Sequence, residues 1–360
     1  MASLFDSLGP EWRAPDIVEA VRSVAESDAG DRGAVFTRPE IVDAILDLSG
    51  YTVDRRLLAF RLLEPSFGQG DFLLPAVRRL LDSIRREGDE PAEVVEQLAK
   101  AVRAVEIGHA SYSHTRKRLI ALLRDYGIDE NDAEALCAEW LICDDFLLCD
   151  VAGEFDVVVG NPPYVRQERI PAVLLAEYRA RFRTLYDRAD LYIPFYERAL
   201  DLLTPSGVLG FICANRWLKN RYGGPLRKKI AAGFHLTHFI DMESSDAFQT
   251  EVIAYPAITI IRRPSSQSPS ARITRIARRA ATERMSLQEL SRRMDAPDSS
   301  GGAIGEIALG DCGDAPWLLD ESAHLSLLRR LECLFPPLEH SGCKVGIGVA
   351  TGCDRAFIGD

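Results

Sequence analysis

Four consecutive residues, Asn161-Pro162-Pro163-Tyr164, follow the apolar run Val157-Val-Val-Gly160 and carry the sharpest chemical signal in the chain. Two prolines fix the backbone at a strand end and remove two N–H donors, so the Asn161 side-chain oxygen and the Pro162 carbonyl can both point outward as acceptors. Two acceptors converging on one spot suit an amino group with two hydrogens. Tyr164 beside them offers a flat face to a planar ring. A second signal is Leu62-Leu-Glu-Pro-Ser-Phe-Gly-Gln-Gly-Asp-Phe-Leu73, where Glu64 and Pro65 close an apolar run and Gly68-x-Gly70 leads into a helical pattern. Glycines there let the backbone approach a ligand closely. A nicotinamide fingerprint wants glycine or alanine at position 73, where this chain has Leu73, so the turn does not read as a dinucleotide site. Acids recur at the ends of two further apolar runs. Glu106 suits a ribose diol, and Asp145 with Phe146 suits the exocyclic amine and the face of an adenine.

Positioning these groups takes strands that end where the acids begin. Apolar runs of strand length occupy 57–63, 102–107, 140–143, 155–159, 207–213, 236–241 and 257–261, with helical spacing at 72–86 and 112–123 between them. This alternation predicts a doubly wound α/β sheet, with helices on both faces and ligands beyond the carboxyl ends of the strands. Amphipathic stretches at 17–25 and 41–48 form a helical preface, and Thr37-Arg-Pro-Glu40 reads as a capping box opening a helix at Pro39. Beyond the sheet, Pro264–Ser270 is turn-rich, and residues 262–293 hold nine arginines against Glu283 and Glu289, a local balance of +7. The domain reading is a helical extension at 1–30, a catalytic domain at 31–264, an arginine-rich linker at 265–300 and a further segment at 301–360.

Composition removes several function classes. The 360 residues are 47% hydrophobic and 27% charged, which excludes disorder and fibrous repeats and supplies core for one large domain and a smaller one. Mean hydropathy is −0.06, and no run approaches the roughly 18 apolar residues of a membrane span. Met1–Asp6 lacks the basic and apolar regions of a secretory signal, so the reading is a cytoplasmic protein. The eight cysteines include no C-x-x-C pair and read as buried or idle thiols; the six histidines form no constellation, and no metal is expected. A net charge of −11 argues against non-specific coating of nucleic acid but leaves room for a local basic face, for which 262–293 is the candidate.

Taken together, these stretches resemble motifs I to IV of the amino-methyltransferases that use S-adenosylmethionine. The likeness is greatest to gamma-class N6-adenine DNA methyltransferases, including the methylase domains of type IIG restriction-modification proteins. Val35–Ile41 is similar to their motif X, Asp190–Phe195 to motif V, and Ala214–Arg221 to the region after the fifth strand, so the likeness covers about residues 30–262. It implies a Rossmann-like methyltransferase sheet with a helical N-terminal preface and an incomplete C-terminal segment. It implies S-adenosylmethionine as cofactor, held by Thr37, Glu64, Pro65, Gly68, Gly70, Glu106, Asp145, Phe146 and Asn161, with Thr37 at the methionine end. The partner implied is double-stranded DNA. An adenine extruded from the duplex would stack on Tyr164, with Asn161, Pro162, Pro163 and Tyr164 as the catalytic set. The family places a second aromatic opposite that tyrosine, for which Phe248 is the candidate and Tyr255 the reserve. Val345–Gly352 resembles the opening of a DNA target-recognition domain, so 301–360 reads as its truncated start, with recognition or nuclease functions in a C-terminal domain or a separate subunit. Two other readings share the same motif: a protein glutamine N5-methyltransferase, and a non-catalytic cofactor-binding subunit of a DNA-modifying complex.

Overall fold

Runs such as Phe155-Asp-Val-Val-Val-Gly160 are apolar on both faces of the pleat, the pattern of a strand covered by helices on each side. The computed structural model has that architecture; it describes residues 13–28, 30, 32–33, 35–242, 255–265, 273–278, 285–295, 304–308, 313–319, 322–336 and 338–344. Met1–Leu319 forms one unit and Asp320–Asp360 a second, whose helix is α11 (Ser322–Leu334).

The first unit is built on a nine-stranded sheet of β1 (Leu62–Glu64), β2 (Val102–Val105), β3 (Leu141–Ile142), β4 (Phe155–Gly160), β5 (Leu203–Ala214), β6 (His235–Asp241), β7 (Pro256–Arg262), β8 (Ile273–Arg278) and β9 (Ile304–Ala308). The order is β3-β2-β1-β4-β5-β7-β6-β8-β9. Neighbours are parallel except that β7 runs against β5 and β6, and β9 against β8. From β1 the chain winds first to β2 and β3 on one side and then to β4 on the other. A crevice therefore opens beyond the carboxyl ends of β1 and β4, where Glu64 and Asn161 lie.

Alternation along each strand sets the two layers. Val157, Val159, Val208, Ile212, Ile258 and Ile260 join the core with buried residues of α2 (Pro39–Leu48), α3 (Leu73–Glu87), α5 (His109–Asp125), α6 (Glu130–Trp140) and α10 (Leu287–Asp295). On the other face Phe211 meets Tyr196 of α8 (Tyr192–Asp201) edge-on at 5.1 Å, and Tyr196 meets Trp217 at 5.6 Å. The α3 helix shows how sequence makes an element here. Leu73, Ala76, Val77, Leu80, Leu81 and Ile84 form one buried stripe, and Gly88, at φ 93°, ends the helix in the left-handed conformation that a side chain resists.

Four sequence expectations change. Leu57–Ala59 is a 3-10 turn rather than the start of a strand, because the Ser83 hydroxyl accepts from the Leu57 N–H at 3.1 Å and ties this backbone to α3. Trp140 ends α6 instead of opening a strand, its indole N–H donating to the Leu98 carbonyl at 2.9 Å. The N-cap of α2 is Arg38, which makes no side-chain capping bond, so Thr37-x-x-Glu40 is not a capping box. The described parts of 265–300 are not a linker. Within them β8 pairs with β6, and Leu287, Leu290 and Met294 of α10 are buried in the core with α2.

One buried histidine on β6, packed beside α10, makes stability depend on pH. His238 on β6 has its Nε2 3.2 Å from the Met294 carbonyl and its Nδ1 3.0 Å from Thr237 Oγ1. Burial pushes its pKa from 6.5 down to about 4, so at neutral pH Asp295, 3.5 Å away, faces an uncharged ring. The unfolded chain takes up the proton first. The histidine's stabilisation is therefore full above about pH 6.5 and is lost as pH falls toward 4. Urea titrations between these limits are expected to show wild type losing about 3 kcal/mol more than His238→Gln.

Among the described residues no helix is long and apolar enough to cross a membrane. Cys137, Cys149 and Cys213 are buried free thiols and Cys143 is half-buried, whereas Cys333 and Cys343 are exposed.

Candidate cofactor and substrate site

Beyond the carboxyl ends of β1, β2, β3 and β4 lies a cavity of about 310 Å³, within the small-molecule range. Thr37, Glu64, Pro65, Gly68, Glu106, Asp145, Phe146, Asn161 and Pro163 all line it. Gly70, Pro162 and Tyr164 do not. Its outer walls come from two helices: Ser23 and Val24 of α1 (Pro15–Glu26), and Leu174 and Tyr178 of α7 (Ala172–Arg181).

Asn161 is oriented by its neighbours. Its Nδ2 donates to the Val35 carbonyl at 2.9 Å and to Thr37 Oγ1 at 3.2 Å, so both amide hydrogens are used and the Oδ1 direction follows. That Oδ1 is buried without a hydrogen-bond partner. An orphaned buried acceptor costs about 1–3 kcal/mol, a cost that a donating ligand would recover. Segment 33–37 clamps the same loop from outside, since the Tyr164 N–H donates to the Gly33 carbonyl at 3.0 Å. Gly33 has φ +69°, and a Cβ there would fall 2.7 Å from the Tyr164 backbone, so the close approach needs glycine. Tyr164 itself packs against the core, and its hydroxyl reaches the Ile212 carbonyl at a long 3.4 Å.

Carboxyl groups dominate the remaining walls. Glu106 accepts from the Gly68 N–H at 2.9 Å and the Gly108 N–H at 2.7 Å, joining the glycine turn to the end of β2. Asp145 accepts from the Leu147 N–H at 2.8 Å through one oxygen and from the Tyr178 hydroxyl through the other. The Phe146 ring lies 5.1 Å from that of Phe195, and the Arg198 guanidinium is 4.9 Å from its centroid. Glu64 is fully buried with Oε2 unpaired, and burial, reinforced by Asp71 and Glu106, pushes its pKa well above the ordinary carboxyl value. Burial also raises Asp71, Glu106 and Asp145 despite the hydrogen bonds they accept. Desolvated acids around one cavity favour a cationic ligand, whose charge would restore their ionised forms.

Several participants escaped the sequence reading. Asp71, one residue past the glycine turn, accepts from the Thr37 N–H at 2.9 Å; its place inside the motif was the available signal. Tyr178 follows Leu174 by one helical turn, a pattern that marks a buried face but not the carboxylate it meets. Arg13 closes on Asp144 through two bonds of 2.8 Å, pinning the chain just before α1 beside the Asp145 loop, and no local signal announced it. Phe248, the candidate second aromatic, lies outside the described residues. Tyr255 is exposed just before β7, with the Arg216 guanidinium 5.2 Å from its ring centroid.

Residues 78–248 match the family described as Eco57I restriction-modification methylase. Two relatives align over most of the chain. The type II methyltransferase M.PaeR7I of Pseudomonas aeruginosa is 54% identical over 331 residues, spanning 91% of this chain and 57% of that protein. The type II methyltransferase M.XhoI of Xanthomonas vasicola is 50% identical, spanning 92% of this chain and 60% of that protein. The chain thus covers less than two thirds of the length of either. Among solved structures, the type IIG restriction endonuclease BpuSI superposes with a TM-score of 0.59 at 16% identity, over 88% of this chain and 36% of that one, a likeness of fold.

Proposed function

Because the chain carries an Eco57I-type restriction-modification methylase domain, we propose that it transfers the methyl group of S-adenosylmethionine to the N6 amine of an adenine extruded from duplex DNA. The observation that carries this reading is the buried, unpaired Oδ1 of Asn161, held in one orientation at the strand-order reversal and facing a cavity ringed by carboxyl groups. A molecule with both a sulfonium and an ammonium group suits those acids. S-adenosylmethionine supplies an activated methyl group when bound, so what remains for the protein is positioning and charge stabilisation.

In this assignment Glu106 takes the ribose hydroxyls. Asp145 accepts from the adenine amine of the cofactor, Phe146 covers its ring, and Glu64, Asp71 and Thr37 serve the methionine end. Asn161 Oδ1 and the Pro162 carbonyl accept the two N6 hydrogens of the target base, drawing the nitrogen toward tetrahedral geometry so that its lone pair is free to attack. Partial positive charge then develops on nitrogen between two fixed acceptors. Recognition of a particular DNA sequence, and any linked nuclease, are assigned to a C-terminal recognition domain or a separate subunit.

Incubation with radiolabelled cofactor and duplex DNA, followed by nucleoside analysis, tests the reading; label is expected in N6-methyladenine. Label confined to a protein amide would replace it with the glutamine acceptor. Tyr164 separates stacking from hydroxyl chemistry. A stacking role needs the ring and not the hydroxyl, whose bond to the Ile212 carbonyl is a long 3.4 Å, so Tyr164→Phe is expected to transfer at near wild-type rate. Tyr164→Ala loses a stacking face worth roughly 1–3 kcal/mol, about a 5- to 150-fold drop in turnover at subsaturating DNA. Equal damage from both substitutions would assign the role to the hydroxyl instead.

A further inference from the structure

The basic segment 262–293 invites a DNA-binding reading, yet its described arginines are already engaged. Arg262 donates to the Leu48 carbonyl at 3.3 Å, and Arg263 bonds the Leu203 carbonyl beside Glu154. Arg275 pairs with Glu306 at 3.2 Å, and Arg292 and Arg293 share Glu289 at 3.0 and 2.9 Å. Arg278 also has a partner, so all six arginines described in this segment are occupied. Their place is wrong as well. The β8 strand stands four strand spacings from β4, roughly 19 Å from the loop that bears Asn161.

A different basic group flanks that loop directly. Arg166 lies two residues past Tyr164, and Arg216, Lys219 and Arg221 sit in the turn that follows β5, the neighbour of β4. All four are exposed, and among the described residues none has a carboxylate within 4 Å. Burial raises the pKa of the intervening Asp190 carboxyl, and Arg166 and Arg216 oppose that rise, so both fields meet at one place. Arg221 reaches the hydroxyl of exposed Tyr186 at 3.3 Å. The turn behind them is firm. Arg227, 2% exposed, donates to the carbonyls of Trp217, Asn220 and Ala315, and a Cβ on Gly223 would fall 1.9 Å from the Trp217 carbonyl oxygen. Four exposed cations with no carboxylate partner among the described residues, in a chain of net charge −11, form a local surface that suits a closely spaced polyanion.

We infer that Arg166, Arg216, Lys219 and Arg221 form the surface that grips the DNA phosphates on either side of the extruded nucleotide, and that the six described arginines of 262–293 serve the fold. The inference rests on duplex DNA being the substrate. Phosphate contacts hold register and orientation without reading bases, so the surface is indifferent to sequence and sensitive to salt.

Anisotropy of a fluorescein-labelled duplex, titrated with the chain from about 50 to 200 mM salt, reads the number of phosphate contacts as the slope of log K against log salt. The combined variant Arg166→Gln/Arg216→Gln/Lys219→Gln is expected to lower that slope by roughly two to three units, while calorimetric binding of S-adenosylmethionine stays at the wild-type value. Arg292→Gln/Arg293→Gln is expected to leave the slope unchanged. An unaltered slope in the triple variant, a lowered slope in the control pair, or no wild-type binding at the lowest salt would each overturn the inference. Methylation of adenine by wild type with an unaltered triple-variant slope would sink this surface alone; phosphate binding without transfer would sink the DNA-methylation reading alone.

Discussion

Replacing Asn161 with alanine is expected to lower methyl transfer about 100-fold or more while S-adenosylmethionine binding stays nearly intact. A fixed hydrogen-bond partner aimed at charge that develops in the transition state is worth roughly 3 kcal/mol, and it contributes little to the ground state. The geometry adds a sharper comparison. Asn161→Asp keeps an acceptor toward the reacting amine but turns its second oxygen toward the Val35 carbonyl, which now lies 2.9 Å from Nδ2. Two acceptors at that distance repel, so aspartate is expected to fail nearly as badly as alanine. Single-turnover rates with radiolabelled cofactor, alongside calorimetric affinity, would check both variants; near-normal turnover in either would remove Asn161 from the mechanism.

Glu106→Ala is expected to weaken S-adenosylmethionine binding toward the upper end of a 10- to 100-fold range. Losing one charge-assisted hydrogen bond to the ligand accounts for roughly 1.5–3 kcal/mol. Here the same carboxylate also receives the Gly68 and Gly108 N–H groups, so its removal frees the glycine turn that forms one wall of the cavity. Glu106→Gln retains one carbonyl acceptor and is expected to lose less than alanine. Calorimetry on the two variants would order them, and unchanged affinity in both would mark Glu106 as a loop staple with no ligand role.

Glu64, Glu106, Asp145 and Asn161 were legible in the sequence because each follows an apolar run short enough to be a strand, and a doubly wound sheet gathers such ends in one crevice. The expected α/β sheet and its helical preface follow from the same periodicity. What escaped was set by distant partners. Ile273–Arg278 and Leu287–Asp295 looked like a linker because arginines diluted a period-2 and a period-3.6 pattern, and only the buried surfaces of β6 and α2 select them as strand and helix. Thr37 looked like a cap, since Thr-x-x-Glu before a proline is a local signal. The hydroxyl instead accepts from Asn161, 124 residues away, and the helix starts at Pro39 without it. Arginine content likewise pointed to 262–293 as a phosphate surface, because sequence counts charges without showing which of them already have partners.

The two N-terminal helices also carry a consequence for the order in which the molecule comes together during synthesis. The loop before α1 is pinned through Arg13 to Asp144, 131 residues downstream, and α2 lays Ile41, Ile45 and Leu48 into a core completed by α10 at residues 287–295. At 5–20 residues per second, α2 waits roughly 12–50 s for that partner to be made. Closing loops of this length is slow compared with local helix formation. The α2 helix is therefore made well before the partner that completes its seat, and its apolar stripe stays open to chaperones or to neighbouring nascent chains in the meantime. Since α1 and residues 35–37 wall the cavity that reaches Phe195, its walls are complete only after α8 has been made.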